Sequence, residues 1–209
     1  AVKDTFDYAK IVLEREFNSV TDNPIIFENE AISGGNFHGE PIALVADFVA
    51  IALTELSNIT ERRIDRLVNP LVSSLPPFLA KGEEGLNSGF MIWQYTAASL
   101  VSENKALSHP GSVDSIPTSA FQEDHVSMGS VSVRKAFSII GNCEKVTTIE
   151  LMLALRGLCF LRPMKTGKLL EFYIERFQQT LKPHHSDRYF GDDFQSILDI
   201  IRNHNPLKS

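Results

Sequence analysis

Apolar residues recur at helical spacing along most of the chain. Val2, Phe6, Ala9, Leu13, Phe17 and Val20 fall at steps of three and four, which predicts an amphipathic helix from the first residues onward. Thr21-Asp22-Asn23-Pro24 ends it, because proline cannot continue a helix and disfavours helical backbone just before it. Ile25-Ile26-Phe27 reads as a short extended piece, and Ser33 to Gly39 as a glycine-rich loop. A second helix is expected from Pro41, with Val45, Phe48, Ala52, Leu56 and Ile59 as its apolar stripe and Asn69-Pro70 as its stop. Residues 71–88, with Pro76, Pro77, Gly82 and Gly85, form an irregular connection. A third helix spans about Gly89 to Leu107 and ends at His109-Pro110-Gly111.

From His125 to Leu161 there is no proline, which predicts one helix of about 36 residues, roughly 54 Å long. Pro163 ends it, and shorter helices follow near 167–181 and 192–202. A helix of that length needs neighbours along it, as in a bundle. The expected fold is therefore all-α, a bundle of long antiparallel helices with irregular loops at 21–40, 71–88 and 108–125. Residues 1–162 form the bundle portion with those loops, and 163–209 a C-terminal helical extension. The chain opens inside its first apolar stripe, without an initiator Met or a capping residue, so it is expected to lack its beginning.

Composition narrows the functional classes. Twenty Lys and Arg against 26 Asp and Glu give a net charge of −6, which disfavours broad nucleic-acid or anionic-membrane binding. No run of about 18 apolar residues is present, so no membrane span is expected, and Ala1-Val2-Lys3-Asp4 lacks the layout of a signal peptide. Cys143 and Cys159 are expected on one helix, 16 positions and so about 24 Å apart, too far for a disulfide. Free thiols suit a reducing cytoplasm.

Most familiar chemical signatures are missing. The glycine loop has no phosphate-binding Gly-x-x-x-x-Gly-Lys-Ser/Thr pattern, and no Gly-x-Ser-x-Gly elbow marks a serine hydrolase. The histidines form no His-Glu-x-x-His motif; His184-His185 reads as a solvated pair, and no metal site is expected. Phe37, beside the glycines, either plugs a core or lines a pocket. Gln122-Glu123-Asp124-His125 is the densest polar cluster. It is either a helix entry, with Asp124 the better cap, or a base or polar substrate clamp. Met91 and the aromatics around it read as core packing. Ser102-Glu103-Asn104-Lys105 is either a solvated face or a buried, satisfied quartet.

Five motifs in order carry a resemblance: Ser33-Gly34-Gly35-Asn36-Phe37-His38-Gly39-Glu40-Pro41, Ser57-Asn58-Ile59-Thr60-Glu61-Arg62-Arg63-Ile64, Leu86-Asn87-Ser88-Gly89-Phe90-Met91, Ser102 to Ser115, and Gln122-Glu123-Asp124-His125-Val126-Ser127-Met128. Together they resemble the aromatic amino-acid ammonia-lyases, and their order and spacing are most similar to the branch acting on histidine. The resemblance covers nearly the whole chain and weakens after Pro163. It implies an elongated helical homotetramer with shared active sites, eliminating ammonia from L-histidine to give trans-urocanate in histidine breakdown. It implies a cytoplasmic enzyme whose electrophile, methylidene-imidazolone (MIO), forms from an internal Ala-Ser-Gly. No Ala-Ser-Gly occurs in these 209 residues. The chain is therefore expected to be the C-terminal part of such an enzyme and inactive alone.

Three residues take roles from the resemblance. Phe37 matches the aromatic beside the electrophile, Glu123 the catalytic acidic residue near the substrate side chain and amine, and Met91 a pocket wall suited to an imidazole. Phe121 stands where the family often has Asn, which removes hydrogen-bonding capacity next to Glu123. Other readings are a tyrosine or phenylalanine lyase or aminomutase of the same family, or a helical scaffold without catalysis.

Overall fold

The computed structural model describes residues 1–83, 85–183 and 185–203. Among them the fold is helical: α1 (Val2–Phe17), α2 (Glu40–Val68), α3 (Pro70–Ser73), α4 (Met91–Leu107), α5 (Gly129–Leu161), α6 (Lys168–Gln178) and α7 (Gly191–Asn203). The expected extended piece is β1 (Ile25–Phe27), and it pairs with an unexpected β2 (Glu30–Ile32), Ile25 opposite Ile32, to make a small antiparallel hairpin. Glu28 and Asn29 turn it with positive φ. Asn69-Pro70 stops α2 as the sequence implies, and the Asn69 side chain then caps α3 by accepting from Leu71 N at 3.0 Å.

The chain divides into two compact units. The first comprises Ala1–Leu56 with Glu103–Gly141; the second comprises Ser57–Ser102 with the described residues from Asn142 onward. In the first, Ala9, Val12 and Val45 are buried together, with Leu13 and Val49 packed on them. This corrects the expected burial. The predicted stripe that begins on α1 faces inward through Ala9 and Leu13, while Phe6, Phe17 and Val20 are exposed. On α2 the expected stripe is split: Val45 and Ala52 are buried, Phe48, Leu56 and Ile59 are exposed, and Ala43, Asp47, Ala50 and Leu53 are buried outside it. Small side chains allow close helix approach, and bulky apolar ones are left exposed.

Asp47 is the main polar anchor of the first unit. One of its carboxylate oxygens accepts from Ser112 N at 2.7 Å and from Ser132 Oγ at 2.8 Å, and Lys135 Nζ lies 3.8 Å from the other. Burial pushes the Asp47 carboxyl up, but the hydrogen bonds from Ser112 and Ser132 and the Lys135 charge outweigh it, leaving the group below its ordinary 3.8. A depressed carboxyl contributes stability above its unfolded value and loses it as pH falls through its native value. The urea midpoint of the chain is therefore expected to drop as pH falls from about 4 downward. Asp47→Asn should be less stable at neutral pH by about 1–3 kcal/mol and show a flatter acid limb. A wild-type and a variant curve of equal slope would contradict this anchor.

By length and composition α2 could cross a membrane, and 44% of its most apolar window is buried. It carries the Asp47 network along that window, and we read it as a core helix.

The second unit has the larger core. Ile64, Leu79, Phe90, Val146, Ile149, Leu153, Leu155 and Ile197 are all buried there. Burying each such side chain contributes roughly 1.5–3 kcal/mol. Trp93 stacks on Phe194 with ring centroids 5.2 Å apart. Cys143 and Cys159 both lie on α5 and are not joined to each other in a disulfide.

Candidate active site

Two irregular segments in the first unit bring the expected residues together. The first is the glycine-rich loop. Gly39, at φ +73, turns the chain into α2, where its carbonyl accepts from Ile42 N and Ala43 N, both at 3.0 Å. The second is the segment between α4 and α5. It is pinned at its start by Ser112 on Asp47 and cross-linked by Val126 N donating to Ser115 Oγ at 3.0 Å. Near its middle, Thr118 and Glu123 exchange backbone hydrogen bonds around a turn in which Ser119, Ala120 and Phe121 all have positive φ. Such backbone costs about 1–3 kcal/mol per residue and is characteristic of functional loops. It places Glu123 at the foot of the turn.

Here the two segments meet. His38 Nε2 lies 3.0 Å from Glu123 Oε2, and Ser127 Oγ donates to the carbonyl of His38. The Phe37 ring packs against the His38 ring with centroids 4.3 Å apart. Phe37 and Glu123 are thus joined through His38. Phe37 is 39% exposed, so it lines a surface and does not plug a core. Phe121 points outward, 80% exposed. A depression of about 580 Å³ in this unit is lined by residues that include Tyr8, Asn36, Glu40 and Phe48 but neither Phe37 nor Glu123. The Phe37–His38–Glu123 cluster is an open surface cluster, not an enclosure.

The helix after Glu123 begins four residues later than expected, at Gly129. Val126 N and Ser127 Oγ are committed to the loop contacts above, and Ser127 Oγ also accepts from Gly129 N at 3.4 Å. Asp124 is five positions upstream of α5, exposed, and does not cap its first turn. In the polar quartet Asn104 is fully buried, while Ser102, Glu103 and Lys105 are exposed. His185 is exposed, and His184 lies outside the described residues. No group of three His, Cys, Asp or Glu among the described residues is placed to hold a metal ion.

Met91 opens α4 in the second unit and is partly exposed. The turn ahead of it is tightly specified. Gly89 has φ +56, and a Cβ there would stand 2.6 Å from the Phe78 carbonyl. Asp187 accepts from Ser88 N at 2.6 Å and Gly89 N at 3.0 Å, while Asn87 Oδ1 accepts from Asp187 N at 2.7 Å. The Thr60–Arg63 motif is structural in this unit. Buried Glu61 accepts from Arg62 Nε at 2.7 Å and Gln94 Nε2 at 3.0 Å, and Arg63 forks onto Glu150. Sequence reasoning missed His38 as a site residue and Asp187 as a support. His38 is one of six histidines in a loop, and Asp187 is about 100 positions from its partners.

The helical scaffold thus presents an aromatic ring and a carboxylate paired with a histidine on irregular loops. The chain belongs to the aromatic amino acid lyase family, which it matches over residues 1–179. It is 54% identical over 205 residues to histidine ammonia-lyase of Caldanaerobacter subterraneus subsp. tengcongensis, covering 97% of this chain and 40% of that protein. Human histidine ammonia-lyase is 51% identical over 202 residues, covering 96% and 31%. The crystal structure of histidine ammonia-lyase from Trypanosoma cruzi superposes with a TM-score of 0.94 at 45% identity, covering 99% of this chain and 42% of that one. Tyrosine aminomutase from Streptomyces globisporus gives 0.92 at 37%, covering 99% and 40%. The chain therefore spans about 40% of the length of the bacterial relative.

Proposed function

We propose that these 209 residues are the C-terminal part of a histidine ammonia-lyase, a carbon–nitrogen lyase converting L-histidine to trans-urocanate and ammonia. The observation that carries this is the convergence of Phe37 and Glu123 on one imidazole, His38. Identity of 45–54% to the histidine ammonia-lyases above supports histidine over the substrates of the aminomutase, at 37%.

In this reading an MIO group, when present, supplies an electrophile for the substrate amine. Its Ala-Ser-Gly precursor is not among these residues, so another segment must hold it. What this chain offers is compatible with such a neighbour: Phe37 presents a partly exposed aromatic face beside the glycine loop. Phe37 packs against the reacting region and excludes water. Glu123, as a carboxylate, accepts a hydrogen bond from the substrate imidazole or ammonium and assists proton movement. Met91 forms a wall for the imidazole end. The exposed apolar faces of α1 and α2 are assigned to self-association, with a homotetramer sharing active sites between subunits. A cytoplasmic location fits two cysteines that are not joined in a disulfide.

The test is urocanate production from L-histidine by this chain alone and when completed by an electrophile-bearing segment.

A further inference from the structure

His38 is held from three sides. Its carbonyl accepts from Ser127, its ring lies against Phe37, and its Nε2 meets Glu123. Glu123 is independently fixed by its backbone bridge to Thr118. Neither side chain is deeply buried, at 28% and 38% exposed. A pair this exposed contributes about 0–1 kcal/mol to stability. The geometric consequence is larger. An ionised carboxylate has two accepting oxygens, and His38 engages one of them. That fixes the plane of the Glu123 carboxylate and leaves Oε1 without a protein partner among the described residues.

We propose that His38 is a positioning residue for Glu123: its Nε2–H holds Oε2 and so aims Oε1 at an N–H donor of the substrate. The proposal rests on the assignment of Glu123 to substrate contact. Holding Oε2 requires the proton on Nε2, so the backbone and ring contacts of His38 select an orientation as well as a place. A small misplacement of a reacting group lowers rate by up to about a hundredfold, which sets the scale of the expected effect.

The test uses the enzyme completed by its electrophile-bearing segment, with kcat and KM on L-histidine measured for H38L, H38Q, E123Q and the H38L/E123Q pair. H38L should lower kcat by about 10- to 100-fold with a much smaller change in KM. H38Q, whose amide N–H reaches to a similar position, should recover most of that loss. The double variant should be no slower than E123Q alone, because the charged carboxylate whose placement His38 sets is then gone. Should H38L lose helix content, H38N replaces it, its shorter amide falling short of Oε2. A second readout needs no turnover: the ¹⁵N spectrum of the 209-residue chain should show His38 Nε2 as the protonated ring nitrogen, with a signal that moves in E123Q. H38L at the wild-type rate beside a slow E123Q overturns the role of His38 and leaves the proposed function standing. Additive losses in the double variant, or a bare Nε2, also overturn it. E123Q at the wild-type rate removes both assignments.

Discussion

Glu123→Gln in the completed enzyme is expected to slow histidine deamination by about tenfold or more, the usual scale for loss of an acid–base or charged substrate contact. The fold should not register the change. Glu123 is 38% exposed, its backbone bridge to Thr118 does not involve the side chain, and its pairing with His38 is of the half-exposed kind that adds at most about 1 kcal/mol. Glutamine keeps the shape and can still bond His38, but it loses the charge that attracts an ammonium or imidazolium. A large kinetic loss with an unchanged urea midpoint would therefore separate chemistry from scaffolding. Unchanged turnover would show that the site lies elsewhere on the chain.

The second large effect is on stability. Phe90→Ala is expected to cost about 3–5 kcal/mol in urea unfolding, a large share of the roughly 5–15 kcal/mol typical of a domain. Phe90 is 1% exposed, with the Phe190 ring 4.5 Å away and the Arg156 guanidinium 5.7 Å from its centroid. Arg156 is itself buried, its Nε has no hydrogen-bond partner, and burial pulls its pKa down. Alanine would leave both a cavity and a charge stripped of its aromatic face. The backbone N–H of Phe90 donates to the Phe78 carbonyl at 2.8 Å, so the same residue also ties down the turn ahead of Met91. A loss below about 1 kcal/mol would be typical of a surface position and would contradict this packing.

The helices were legible because apolar spacing and proline stops are local signals. Asn69-Pro70 and Pro163 mark the ends of α2 and α5 to within two residues. Which face is buried was not legible. Of the two predicted stripes the structure buries Ala9, Val45 and Ala52 but exposes Phe6, Phe17, Phe48 and Ile59, and it buries Ala43, Asp47 and Ala50 outside them. Helix spacing alone cannot distinguish a core face from a face that meets another chain. The start of α5 was misplaced because the hydrogen bonds that unwind residues 126–128 come from Ser115 and His38, 11 and 89 positions away. Of the candidate site, Phe37 and Glu123 were nominated through motif resemblance. Their physical link through His38 needs coordinates, because nothing in the loop sequence says that its histidine reaches a carboxylate 85 positions away.

The most direct measurement is the appearance of urocanate from L-histidine. The 209-residue chain alone should produce none. Joined to a segment carrying Ala-Ser-Gly, it should produce urocanate and turn over histidine with a higher kcat/KM than tyrosine or phenylalanine. Urocanate formed by the chain alone, or a completed enzyme that prefers tyrosine or phenylalanine, would contradict the account.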